Sequence, residues 1–600
     1  MTREDFNQPL RFTETLRQLL NPKRYPLLWI ALAALPFFLM DLGSPALNDG
    51  EGMYAEIARE MRLGDDWITP RLNGKRHFDK PPLIYWAAGI GQSLLGEKEL
   101  AMRIWPALAA WATIPAVGAI GITLYTARAG WIGALVFATC VGPYIFGRML
   151  MPDPLLYFWI TLALLGYARG YMRSEKAARL WPWVMFASLG FASLSKGILG
   201  MGLPAAIIGL HVLLSGRLRE FLSWKLLAGI CLTAAIALPW PLAAAKANPD
   251  FLGYFVIREH ILRFTGQRYP PDEFLPLSLF LILTWVWTFP WLALVPQALL
   301  RGFKRLRATT FKESEDLLLF LWIVIIIGLF SASRSRLEYY AMPTIPAFAL
   351  LIGKLWDEVL GKDSQRLSTR GISIALGAMS VASVAAAIGA LLVFGPGKDL
   401  VFETFRTGWP ESGWTPGPEQ IAVLDRIRIP SILTSSGVAV FVVGALAALR
   451  KSKPKICMTI LTAMMIPIFF MVHWGFLVME PFMSVRPIAE VVRETAKPAD
   501  VVVFQEPHEY MWVGGIAFYT KRMVHIFKDP KFEGVESRRR EPPERFLDRN
   551  GLLALWDSGK RVLVVADEHG PLAAMLSRER PVQVIANMGG RVVFLNGAGG

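Results

Sequence analysis

The sequence predicts a polytopic α-helical membrane protein of about thirteen spans, carrying a small α/β domain at its C-terminal end. Three observations carry this expectation. Of the 600 residues, 54% are hydrophobic and only 18% charged, with 21 Trp and 36 Phe. Apolar runs close to the ~20 residues a hydrocarbon core requires recur between residues 25 and 478. From residue 484 onward the pattern changes to short β-branched runs alternating with amphipathic ones.

The spans are expected near 25–42, 103–125, 129–147, 154–172, 181–195, 198–214, 223–244, 275–299, 317–332, 340–356, 371–395, 430–449 and 455–478. The fifth and sixth are short and break at SLSKG. The first has no small-residue cleavage site behind it and reads as an uncleaved span. Basic residues set the orientation. Arg3, Arg11, Arg17, Lys23 and Arg24 precede the first span, and the inner connections 168–179, 215–225, 301–316, 353–370 and 450–455 are rich in Lys and Arg. The positive-inside rule then places the N-terminus in the cytoplasm and the tail outside. The net charge of +15 follows largely from that topology. Its basic residues are scattered among loops rather than gathered on one module, so nucleic acid is not an expected partner.

Cys140, Cys231 and Cys457 all fall within expected spans, which leaves no disulfide framework or thiolate metal site on the exported face. The division is therefore a membrane domain over 1–483 and an exported α/β domain over 484–600. In the latter, VVVF (501–504), RVLVVA (561–566), VQVIA (582–586) and VVFLN (592–596) read as strands. The runs 488–496, 546–558 and 571–579 read as helices. No glycine-rich fingerprint follows the strands, so no nucleotide cofactor is expected and the domain reads as a structural or docking appendage.

The outer loops hold charge that topology does not require. In the first, about 44–102, Met53, Tyr54, Ile57, Ala58 and Met61 share one helical face and Glu56, Arg59, Glu60 and Arg62 the other. Such a helix is expected in the membrane interface. Asp49 and Glu51 at its start either complement the helix dipole or act chemically. In LNGKRHFDKPPLIYW, Pro81 and Pro82 open a second interfacial helix, with Asp79 and Lys80 just ahead of it. A lysine there is a natural phosphate hand. Asp153 in MPDP also suits the start of the fourth span. Later loops add Arg258, His260, Arg263, Arg268, Arg334, Arg336, Glu338, Tyr339 and Tyr340, and the SLSKG break adds Lys196. Snorkelling accounts for one arginine at a span end, not for two beside a carboxylate and two tyrosines. Cations at a bilayer's outer rim, with carboxylates beside them, suit a lipid phosphate carrying a reacting group.

These residues resemble a known family. The run DGEGMYAEIAREMRLGDDWITPRLNGKRHFDKPPLIYW is similar to the first external loop of the bacterial aminoarabinose lipid A transferases. These are GT-C glycosyltransferases, a superfamily that also holds the protein O-mannosyltransferases. MPDP, LSKGILGMGLP, REHILRF and SRSRLEYYAMPTIPAFALLIG resemble the later blocks in the same order, so the likeness covers roughly 25–360. It implies a GT-C fold in the bacterial inner membrane. It implies inverting transfer from an undecaprenyl-phosphate sugar to an acceptor hydroxyl on lipid A, another envelope glycan or a protein. Asp49 is then the expected base, with Glu51 and Asp153 as further catalytic candidates, although this chain has Asp-Gly-Glu where many relatives have Asp-Glu. Lys80, Lys196, Arg258, Arg263, Arg334, Arg336, Tyr339 and Tyr340 are expected to hold the donor phosphate. Asp79 and His260 take the positions of a candidate divalent-metal pair, the shorter Asp standing where relatives have Glu. The working unit is expected to be a monomer among membrane lipids. The alternative, a transporter or flippase of polyprenyl-linked sugars, would place ionisable groups near mid-bilayer, and the spans are almost free of them.

Overall fold

A computed structural model describes residues 25–173, 179–268, 275–311, 314–361, 365–394, 418–506, 512–528 and 545–597. The five N-terminal basic residues of the orientation argument lie outside the described residues. Helices dominate up to Met483, and most are apolar along their whole surface, as a chain solvated by lipid requires. Among the described residues, six are long and apolar enough to cross a membrane alone: Glu99–Leu124, Trp181–Leu214, Glu315–Ala332, Thr369–Phe394, Asp425–Arg450 and Pro454–Val478. Counting each of three bent pairs as one span raises the number to nine, against the thirteen expected. The difference has identifiable causes. Pro26–Leu39, Asp153–Tyr167 and Ile345–Leu360 are shorter than a full span, and two expected spans share the one element Trp181–Leu214.

The fifth and sixth expected spans form one element, Trp181–Leu214, kinked at Lys196 and Gly197. Gly197 has φ +63°, and a Cβ there would stand 2.6 Å from His260 Nε2, so glycine is required both for the turn and for the close approach.

The first outer loop departs from the interfacial expectation. Asp49–Leu63 is a helix opened by a capping box, in which the Asn48 side chain accepts the Glu51 N–H (3.0 Å) and Glu51 accepts the Asn48 N–H (3.1 Å). Its polar face, however, is not in water. Glu56 and Arg59 are buried along with Met53, Ile57 and Met61, because the C-terminal domain roofs the helix. The second loop helix, Leu83–Leu95, begins after Pro82 and leaves Ile90, Leu94 and Leu95 exposed, as a lipid-facing helix would.

The C-terminal region folds into a six-stranded sheet. After the short hairpin β1 (Arg71–Leu72) and β2 (Lys75–Arg76) of the first loop, its strands are β3 (Val501–Glu506), β4 (His525–Lys528), β5 (Phe546–Leu547), β6 (Val562–Asp567), β7 (Val582–Met588) and β8 (Arg591–Asn596). Their order is β5-β4-β3-β6-β8-β7, with β5, β4, β3 and β6 parallel and β8 antiparallel to both β6 and β7. The helix Trp512–Thr520 docks this sheet onto the first loop. A Cβ on Gly514 would lie 2.3 Å from Met53 Cα, and one on Gly52 would lie 2.7 Å from Gly515 Cα. Two backbones meet there with nothing between them. Polar clasps flank the seam: the Tyr519 hydroxyl accepts the Leu47 N–H (2.8 Å) and donates to Glu99 (3.0 Å), and the Asn73 amide pairs with both backbone groups of Val524.

A buried ion pair anchors the other end of the loop. Arg103 grips Glu51 through two bonds of 2.7 Å and donates to the carbonyls of Leu42, Pro45 and Ala46. Glu51 also accepts the Leu150 N–H at 2.7 Å. Breaking such a pair strands a buried carboxylate, which costs about 3–5 kcal/mol. Arg103→Met is therefore expected to lower thermal stability in detergent strongly, and adding Glu51→Gln is expected to recover part of the loss. Unfolding of the two variants, followed by tryptophan fluorescence, checks both statements.

Candidate active site

Four chain segments bring charge to one buried place above the helix bundle. The first loop delivers Tyr54 from its helix and His77, Asp79 and Lys80 from the turn before Leu83–Leu95. Asp153 opens the helix Asp153–Tyr167, with Pro154 in its first turn. Lys196 sits in the kink of Trp181–Leu214. Gly253–Leu262 is wound as a π-helix, a winding found often at functional sites, and carries Tyr254, Arg258, Glu259 and His260, with Arg263 just beyond.

Asp153 and Lys196 form a 2.5 Å ion pair, the carboxylate 1% exposed and the lysine 9%. The lysine ammonium lies 4.3 Å from the Tyr340 ring centre and 5.8 Å from that of Tyr339, a cation–π seat for a charge taken out of water. Asp79 accepts from the Tyr254 hydroxyl (2.6 Å) and pairs with Arg268 (3.4 Å). Burial works to raise its pKa, but His77, Arg268, Lys80 and the Tyr254 hydroxyl hold it below the usual carboxylate range. Glu259 pairs with Arg268 (3.0 Å), Arg263 (3.3 Å) and Arg258 (3.8 Å). Burial and the nearby Asp79 nevertheless push its pKa up to about 7. Lys80 is drawn down to about 8, first by burial and then by Arg263 and Lys196, with Asp79 and Glu259 opposing. Burial also lowers the pKa of both His77 and His260. Five cations (Lys80, Lys196, Arg258, Arg263, Arg268) thus face three carboxylates (Asp79, Asp153, Glu259). The excess positive charge, in a place of low dielectric, is what a phosphate would neutralise.

Of the residues singled out in the sequence, the structure gathers Lys80, Asp79, Asp153, Lys196, Arg258, His260, Arg263, Tyr339 and Tyr340 here. It sets four apart. Glu51 is taken up by Arg103 and the Leu150 N–H. Asp49 faces Arg591 of β8, at the seam with the C-terminal domain, and one of its carboxylate oxygens is buried with no hydrogen-bond partner among the described residues. Burial pushes its pKa up to about 8, against the pull of Arg591. Arg336 donates to the carbonyls of Leu275, Ser331 and Ser333 and so staples its own loop. The Arg334 side chain packs on Gly266. Sequence reasoning missed Glu259, His77 and Tyr254, and treated Tyr54 only as part of an apolar face. Glu259 stands between two residues that were named, and a carboxylate amid three arginines was the available signal.

Asp79 and His260 do not fit a divalent metal in this arrangement. The oxygens of Asp79 meet a phenol and a guanidinium, and Lys80 stands beside it. His260 directs Nδ1 at the Phe255 carbonyl (2.6 Å) and Nε2 toward Gly197. No group of three metal-ligating side chains occurs among the described residues. A separate small cavity, partly open to solvent, lies near Asp41, Arg103, Arg148, Phe476 and Glu480. Arg103 and Arg148 there are occupied by backbone carbonyls, Glu51 and His473.

Residues 47–255 match the dolichyl-phosphate-mannose-protein mannosyltransferase family. An undecaprenyl phosphate-α-4-amino-4-deoxy-L-arabinose arabinosyl transferase of Sodalis glossinidius is 28% identical over 397 residues, 64% of this chain and 68% of its own. The Pseudomonas fluorescens protein of the same description is 30% identical over 357 residues, 58% of this chain and 60% of its own. The crystal structure of ArnT from Cupriavidus metallidurans bound to undecaprenyl phosphate superposes with a TM-score of 0.77 at 22% identity. It covers 95% of this chain and 98% of that one. In sequence and in fold, the chain resembles the GT-C transferases of the ArnT type. It is a multi-pass protein of the bacterial inner membrane. At 95% of this chain, the structural match extends beyond the residues on which the likeness was read in the sequence, about 25–360.

The lowered pKa of Lys80 has a kinetic consequence. As pH rises through about 8 the lysine loses its proton and the site loses a positive charge. The kcat/KM for an anionic donor, which reports the free enzyme, is expected to fall over that range. Lys80→Arg, charged throughout, is expected to shift the fall to higher pH. A pH–rate profile of the two proteins checks this.

Proposed function

We propose that the protein transfers a sugar, with inversion, from an undecaprenyl-phosphate donor to an acceptor hydroxyl at the periplasmic face. The convergence of Lys80, Lys196 and Arg263 beside Asp153 carries the reading. The leaving group is already a lipid phosphate, so no nucleotide is needed in the step. The acceptor oxygen forms the new bond to the anomeric carbon as the bond from that carbon to the phosphate oxygen breaks. Undecaprenyl phosphate departs with the electron pair, held by Lys80, Lys196 and Arg263.

The acceptor proton goes to Asp153 in this scheme, not to Asp49. Asp153 shares a site with the cations, and a phosphate drawing Lys196 away would free its carboxylate to act as base. Asp49, facing Arg591, is assigned to positioning the loop. The topology that goes with this function has thirteen spans, the N-terminus in the cytoplasm and residues 484–600 in the periplasm. Every expected span lies over a helix or a bent pair, the fifth and sixth sharing the element kinked at Lys196. The working unit in this reading is a monomer. Lipid A is the first acceptor to test, with other envelope glycans and proteins as the alternatives. The transporter reading is not favoured, since the charges cluster at one end of the bundle.

The test is mass spectrometry of envelope glycolipids from a deletion strain complemented at equal protein level. Wild type is expected to restore a glycoform that Asp153→Asn reduces by about 10²-fold or more. Asp49→Asn is expected to retain most of it. The reverse pattern would return the base to Asp49, and restoration by neither protein, wild type included, would remove the transferase reading.

A further inference from the structure

One buried carboxylate at this site has no task in the scheme above. The Glu259 side chain is 1% exposed and pairs with Arg263, one of the cations assigned to the donor phosphate. A negative charge among phosphate-binding cations weakens the binding of an anion, so its presence there requires an explanation. Its pairs are unequal. Arg268 donates to Oε1 at 3.0 Å and also reaches Asp79 at 3.4 Å, so two carboxylates share it. Arg258 stands 3.8 Å away, its guanidinium 4.8 Å from the Tyr254 ring centre. Arg263 donates to the other oxygen, Oε2, at 3.3 Å, and to the Ser335 hydroxyl at 3.4 Å.

This division lets Arg263 leave Glu259 without stranding it. A buried carboxylate that lost every partner would be strongly penalised, but Arg268 stays on Oε1 when Arg263 turns away from Oε2. The Lys196–Asp153 pair is of the same kind, a cation matched with a carboxylate until a phosphate arrives. After transfer the problem reverses. The cations that stabilised the departing lipid phosphate also retain it, and product release limits many enzymes. We propose that Glu259 yields Arg263 to the donor phosphate and reclaims it as undecaprenyl phosphate leaves. Glu259 is thus a positioning residue that acts through Arg263. The inference rests on the transferase reading and adds to it the return half of the cycle.

The test uses the full-length protein in detergent, with labelled undecaprenyl phosphate as the probe, and the complemented strain. Glu259→Gln keeps the shape of the side chain and removes its charge. It is expected to bind undecaprenyl phosphate about tenfold more tightly, through slower dissociation, and to make severalfold less glycoform. Glu259→Asp, which keeps the charge, is expected to recover most of the wild-type dissociation rate. A purely structural carboxylate predicts the opposite sign, weaker binding by Glu259→Gln. That result, an unchanged dissociation rate in Glu259→Gln, or a Glu259→Asp protein as slow as Glu259→Gln overturns the inference and leaves the transferase reading intact. Wild-type protein that neither binds undecaprenyl phosphate nor restores a glycoform removes the transferase reading itself. Where Glu259→Gln does not fold, a cryo-EM structure of the wild-type complex decides. Arg263 is expected on the phosphate, beyond about 4 Å from Glu259, with Arg268 still on Oε1. An intact Arg263–Glu259 pair beside the bound phosphate contradicts the proposal.

Discussion

The structure above the bundle depends on a buried guanidinium. Arg103, projecting from the helix Glu99–Leu124, is the common partner of the loop carbonyls at 42–46 and of Glu51 in the first-loop helix. Glu51 extends the tie to the Leu150 N–H, three residues before Asp153. One ion pair thus sets the start of the first-loop helix, and with it Tyr54, relative to the carboxylate that pairs with Lys196. Its geometry explains why a desolvated pair is tolerated. Both Glu51 oxygens and both terminal guanidinium nitrogens are hydrogen-bonded, which offsets the loss of hydration. The two acids at 49 and 51, separated by one glycine, consequently do different things. Glu51 holds the loop to the bundle, and Asp49 meets the C-terminal domain.

That domain acts as a roof. The contact of Gly514 and Gly515 with Gly52 and Met53 leaves no space for water, and Tyr519 and Asn73 fix its register. A loop fixed from above and below can hold several like charges close together, because the fold opposes their repulsion. The consequences are visible in the groups themselves. Lys80 is less basic than a free lysine and Glu259 less acidic than a free glutamate, both first because they are buried. A ligand that brings negative charge to the cationic side relieves that strain, so binding and charge balance are one event.

Much of this was legible in the sequence, for reasons that differ by residue. The spans and the cationic outer loops stand out because lipid solvation and the positive-inside rule leave few other places for such residues. Lys80, Asp153, Lys196 and Arg263 were therefore visible one by one, while their meeting point was not. The role of Glu51 was hidden because its partner lies 52 residues away inside an apolar helix. The first-loop helix shows a clean amphipathic period, which argues for an interface with water, and only tertiary contact reveals that its polar face is roofed. Trp512–Thr520, the roofing helix, is apolar on every side and carries two glycines, so it has no period to read. In the same domain, four strands fall where β-branched runs predicted them, whereas β4 and β5 are too short to signal themselves.

The central claim is that the cations gathered around Lys80 receive a polyprenyl phosphate. A cryo-EM map of the protein with undecaprenyl phosphate tests it most directly. The account predicts phosphate density within hydrogen-bond reach, about 3 Å, of Lys80 Nζ, with Lys196 drawn away from Asp153. Phosphate density in the cavity beside Arg103 and Arg148, with the Lys196–Asp153 pair intact and Lys80 untouched, would contradict it.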